Sequence, residues 1–218
     1  MKNSVKFLMI ALCISAVSSA QNIKEAVQNT KQIVEGKKNL ERDIKELQAF
    51  TAKLELFNTA FDSRNLRRTN DLKASVLTDM VREVGQSGEK AKQARKEVAQ
   101  SSAEIRSDHR ENRSNKEDSK NGRFDRKDDK KDEARDKANT RDDRRDRKDD
   151  MRDLKQQIAR AEQQANILKT LKVYNFSFDG NNLETALINK RLVLDFVGTL
   201  KQDIEATKRE LAEDNRER

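Results

Sequence analysis

Residues 23–61, IKEAVQNTKQIVEGKKNLERDIKELQAFTAKLELFNTAF, decide the fold. Ile23, Ala26, Ile33, Leu40, Ile44, Leu47, Leu54 and Phe61 recur at steps of three and four or their sums, and Val27, Val34, Phe50 and Phe57 widen the same seam. Side chains at that spacing stack on one face of an α-helix, whereas a strand alternates with a period of two. About five heptads of it predict one helix roughly 60 Å long at 1.5 Å per residue. Thr30, Lys37, Thr51 and Asn58 punctuate the seam. Polar residues at such positions weaken a helix pairing but fix its register and oligomeric state, so the expected partner is a specific helix, from a second copy or from another helical protein.

Outward from this segment, the polar run Asp62 to Asp71 ends the pattern, and Thr69 or Asn70 is placed to cap a second helix through Leu72, Val76, Met80 and Val84. Gly85-Gln86-Ser87-Gly88 predicts a break or hinge, because two glycines so close weaken a helix. Helical spacing then resumes with the small side chains Ala91, Ala94, Val98 and Ile105.

On the N-terminal side, Lys2 and Lys6 precede an apolar run from Phe7 to Val17, and Ser18-Ser19-Ala20 puts small residues before Gln21. That is the order of a cleaved secretory leader, and it predicts a mature chain beginning near Gln21 in an extracytoplasmic space, periplasmic or secreted. Cys13, the single cysteine, lies inside the leader, so the mature chain is expected to fold without a disulfide.

Residues 107–153 hold 17 Lys or Arg and 16 Asp or Glu with almost nothing apolar between them. Such a polyampholyte cannot order itself by hydrophobic collapse. Opposite charges three and four apart support a helix by a few tenths of a kcal/mol per pair. Asp125-Arg126-Lys127-Asp128-Asp129 recurs twenty-one residues later as Asp146-Arg147-Lys148-Asp149-Asp150, three heptads on, so both copies would face one side of a continuous helix. Lys120-Asn121-Gly122-Arg123 reads as a turn. The arm is therefore expected as two frayed helical limbs meeting near Gly122, with disorder as the competing state.

Helical spacing returns at Leu154, Ile158, Ala161, Ala165, Leu168 and Leu171, then gives way to Tyr174, Phe176 and Phe178, which alternate with a period of two before Asp179-Gly180. This predicts a short extended segment closed by a turn, with the aromatics plugging the end of a helix pair or forming a recognition loop. Asn181 and Glu184 resemble a capping box that opens a last helix with Leu183, Leu187, Leu194, Val197, Ile204 and Leu211 on its stripe. The expected fold class is all-α: elongated helical hairpins or coiled-coil modules at 21–106 and 154–218 flanking a highly charged arm, helical or disordered, at 107–153.

The residue types of most catalytic sites are scarce. His109 is the single histidine, which rules out a His-pair zinc site within one chain, and no glycine-rich phosphate loop occurs. Gly85-Gln86-Ser87-Gly88 is one residue short of a nucleophile elbow. The aspartates of the arm lack a calcium-loop spacing, and Lys or Arg beside nearly every acid neutralises them. Asn112-Arg113-Ser114 and Asn175-Phe176-Ser177 match the short glycosylation acceptor pattern. No catalytic, cofactor or metal residue is assigned, and no second membrane span is expected, because Lys190, Arg191 and Asp195 interrupt the most apolar later stretch.

The net charge of +8 becomes +6 without Lys2 and Lys6, spread as +4 over 21–106, +1 over 107–153 and +1 over 154–218. Charge so dispersed points to no dedicated nucleic-acid site. Arg64, Arg67 and Arg68 form its one dense basic cluster. The functional expectation is an exported, non-enzymatic spacer, scaffold or adaptor of the cell envelope. In architecture and charge the chain broadly resembles periplasmic holdase chaperones of the Skp kind, which implies helical arms that enclose an unfolded client. An electrostatic binder of anionic surfaces is the third class.

Overall fold

The computed structural model describes the backbone of residues 2–121 and 126–215, with the side chains of most residues in 30–116 and 131–215. The fold is all-α: α1 (Lys2–Asp62), α2 (Leu66–Asn121), α3 (Arg126–Val173), a 3-10 turn (Gly180–Asn182) and α4 (Leu183–Asp214), with no strand among the described residues. The side chains of residues 1–29, which include the expected leader and Ile23, lie outside the described set. So do residues 122–125, with Gly122 of the expected turn, and the side chains of the first repeat copy.

Two compact units divide the chain: Met1–Thr51 with Leu200–Arg218, and Ala52–Thr199. In the first, α1 buries Ile33, Asp43 and Phe50 and α4 buries Leu200, Ile204 and Leu211. Gly36 sits under Leu211, whose Cδ2 would lie 2.8 Å from a β-carbon placed there. Arg42 pairs with the buried Asp43 at 2.9 Å, as a buried carboxylate requires.

In the second unit each helix touches the next and the last returns to the first. Lys53 of α1 meets Asp79 of α2 at 2.5 Å; α2 packs along α3. Gln164 of α3 donates to Thr199 of α4 at 3.0 Å, and Lys190 of α4 meets Asp62 of α1 at 2.7 Å. This four-helix arrangement buries Phe57, Leu72, Val76, Met80, Leu171, Val193 and Phe196.

The α1–α2 connection is shorter than its polar composition predicts. Asn65 N–H reaches back to the Ala60 carbonyl and Arg64 N–H to that of Phe61, each at 2.9 Å, which is the double bond of a Schellman ending. Arg64 occupies the left-handed position of that motif at φ 54°, a place that favours glycine. The Asn65 side chain then accepts the Arg68 N–H at 3.0 Å and caps α2. Asn65, rather than Thr69 or Asn70, is the cap; Thr69 is inside the first turns, its hydroxyl donating to the Asn65 carbonyl at 2.8 Å.

Helix α2 runs unbroken through residues 85–88, correcting the expected hinge. Thr69, Lys73, Val76, Met80, Glu83 and Ser87 form a buried line at steps of four and three, and that packing holds the helix across two poor helix formers, since tertiary burial overrides propensity. Gly85 and Gly88 lie off the line, with nothing within 4 Å of an added β-carbon. Gly85→Ala with Gly88→Ala should therefore raise the unfolding free energy by about 1–2 kcal/mol, read as a higher urea midpoint at unchanged slope.

Helices α2 and α3 continue together into the charged arm as an antiparallel pair, so its described parts are helical. Ser101 bonds Asp150, Arg147 donates to Ser102 at 3.1 Å, Arg144 to His109 at 3.1 Å, and Asn112 to Thr140 at 3.2 Å. Among the described residues of 99–150 only Ile105 and Thr140 are buried. The pair is held by polar side chains bonding to polar side chains.

Candidate functional site

The aromatic triplet and the basic cluster singled out in the sequence lie at one end of the second unit, where the tail of α1, the α1–α2 turn, residues 174–182 and the head of α4 meet. Its interior is aromatic. Phe176 stands edge-on to Phe57 at 5.3 Å between centroids, to Phe61 at 5.7 Å and to Tyr174 at 5.1 Å, and Phe178 is edge-on to Phe61 at 5.2 Å. Edge-to-face packing at these distances adds to the burial of the rings. The triplet is therefore turned inward: Phe176 is buried, and Tyr174 and Phe178 are half-buried.

The segment carrying the triplet has no strand partner, and one side chain replaces it. Asn70 of α2 donates to the Phe176 carbonyl at 3.2 Å and accepts the Phe176 N–H at 3.1 Å. Buried backbone groups need partners, and Asn70 supplies both. Lys73, one turn further along α2, donates to the Tyr174 carbonyl. Burial lowers the pKa of Lys73 below the usual lysine value and raises that of the Tyr174 hydroxyl, the directions desolvation imposes on a cation and on a phenol. That hydroxyl is buried without a hydrogen-bond partner among the described residues. Beyond Phe178, Asp179-Gly180 opens a 3-10 turn, its carbonyl accepting Asn182 N–H at 2.7 Å, so Asn181 lies within that turn and Glu184 falls in the first turn of α4.

Of the seam residues, Ile33, Leu54 and Phe61 on α1 are buried and Leu40, Ile44 and Leu47 half-buried. On α4, Val197, Ile204 and Leu211 are buried and Leu183 half-buried, while Leu187 and Leu194 are 51% and 45% exposed. The buried line there runs instead through Ala186, Asn189, Val193 and Phe196, because the helix presents its small and aromatic side chains inward and leaves two leucines out.

The outer surface of this end is cationic. Arg64, Arg67, Arg68, Lys169, Lys172 and Arg191 are exposed, and their side chains have no partner among the described residues. Lys190 differs, bonded to Asp62 and lying 4.7 Å over the Phe61 ring. Exposed aliphatics accompany them: Leu66 at 45%, Val173 at 84%, Leu187 at 51% and Ile188 at 56%. Sequence reasoning missed Leu66, Val173 and Ile188; Val173, next to Lys172 at the end of a helical stretch, carried the readable signal.

Among the described residues no group of three or more His, Cys, Asp or Glu stands ready to hold a metal ion, and no helix is long and apolar enough to cross a membrane. Comparison with known proteins finds no matching family profile, no matching curated protein and no matching solved structure.

Proposed function

We propose that the chain is an exported, non-enzymatic helical protein that acts as a spacer, scaffold or adaptor in the cell envelope. The supporting observation is the α2–α3 pair, in which His109, Asp150, Ser101 and Arg147, residue types that elsewhere do chemistry, are spent on joining two helices. Helices of 56 and 48 residues span about 84 and 72 Å at 1.5 Å per residue, and a polar pairing lets them do so in water. The leader at residues 1–20 supports placement outside the cytoplasm.

The test has two parts. Mass spectrometry of the exported chain should find its N-terminus near Gln21, and retention of residues 1–20 removes the export. Spin labels at Asp71→Cys and Arg110→Cys, both exposed on α2 in a mature chain free of other cysteines, should give one narrow distance of about 59 Å. A broad distribution at short distances removes the spacer role. The unpartnered arginines of the α1–α2 turn favour a second reading, electrostatic binding to an anionic surface.

A further inference from the structure

We infer that the end of the second unit formed by the α1–α2 turn, the tail of α3 and the head of α4 docks on an anionic lipid bilayer. This deepens the surface-binding reading, and rests on it, by naming the surface. Three ties bring the segments to one end: Asn70 to Phe176, Lys73 to Tyr174, and Lys190 to Asp62. Across residues 62–73 and 169–191, six exposed cations without side-chain partners stand against the exposed acids Asp71, Asp179 and Glu184, while Lys190 offsets Asp62 and Lys73 is buried on a carbonyl.

Cations alone would suit any polyanion. The aliphatics beside them narrow the choice. Leu66 precedes Arg67, Val173 follows Lys172, and Ile188 lies three residues before Arg191. Each pair sets an exposed branched apolar side chain within three residues of an exposed charge. A bilayer interface takes that combination, the aliphatics entering the acyl boundary while the cations stay with the phosphates. A single-stranded nucleic acid would want exposed rings to stack on, and here Tyr174, Phe176 and Phe178 pack inward. Arg64 sits at the left-handed position of the helix ending, which glycine would occupy with less strain, so its charge and its backbone role can be separated by substitution.

The full chain is sedimented with vesicles of phosphatidylcholine alone and of phosphatidylcholine with phosphatidylglycerol in equal parts. Binding is expected to the anionic vesicles only. Each cation removed weakens it roughly fivefold, so Arg64→Ser with Arg67→Ser and Arg68→Ser falls by about a hundredfold. Val173→Ser with Leu187→Ser and Ile188→Ser, all at exposed positions, also weakens it by tenfold or more. Arg64→Gly serves as the folding control: it relieves the backbone, so thermal stability holds or rises while vesicle binding drops about fivefold.

Residues 1–20 are common to every variant, so equal binding by all of them reads the leader alone and overturns the proposal. Full binding by the aliphatic variant overturns it too, as does Arg64→Gly binding like wild type. Retention on heparin without vesicle binding overturns the bilayer while leaving the surface-binding reading standing, and none of these outcomes touches the leader or spin-label tests of the spacer.

Discussion

Phe176→Ala is expected to lower the free energy of unfolding by about 3–5 kcal/mol, the range of a fully buried phenylalanine removed from a packed core. Phe176 is 3% exposed and is the ring that Phe57 and Phe61 of α1 and the neighbouring Tyr174 all meet edge-on, so its loss leaves a cavity lined by stiff aromatic rings that cannot readily collapse into it. Phe176→Leu keeps most of the volume and should cost under half as much. Urea unfolding followed by circular dichroism reads both; a cost near 1 kcal/mol for the alanine would mean that the aromatic plug does not hold this end together.

Asn70→Ala is the second large effect, at about 2–4 kcal/mol, because it strands the N–H and the carbonyl of Phe176 together and each buried group left unpaired costs about 1–3 kcal/mol. Asn70→Asp separates the two bonds: the carboxylate still accepts the N–H but can only repel the carbonyl, so it should destabilise at least as much. Because both substitutions disrupt the same residue, Asn70→Ala combined with Phe176→Ala should cost clearly less than the two costs added. Strict additivity in that double-variant cycle would separate the clamp from the plug.

Asn70 also shows where the sequence stopped being legible. As a residue it reads as a helix cap, since its short amide favours helix starts, and the nearby apolar run invites that assignment. What it does depends on a segment 106 positions away, and no local pattern carries that information. The cap itself is Asn65, hidden in a run of polar residues of which only Ser63 to Asn65 leave the helix. The helices, by contrast, were written in the period of Ile33, Leu54 and Phe61, because burying a face is a one-dimensional requirement that spacing reports directly. The glycines at 85 and 88 misled for the opposite reason: propensity is local, and the line from Val76 through Met80 and Ser87 outweighs it. On α4 leucine is the commonest apolar residue, yet Leu187 and Leu194 stay outside, since the stripe that packs is chosen by the neighbouring helices rather than by hydrophobicity alone. The aromatic alternation at 174–178 was visible as a plug, while the aliphatic and basic surface over it came from three separate parts of the chain.

The pairing of Asn112 with Thr140, together with Ile105 as the one apolar side chain buried among the described residues of 99–150, makes the arm tolerant of spelling and intolerant of counting. Exchanging one charge for another among its outward positions alters little, because water already screens them. Deleting a few residues from one side alone would slide every rung past its mate and strand Ile105 in solvent. For this stretch, what descent can rewrite freely is the lettering, and what it must preserve is the matched length of the two sides.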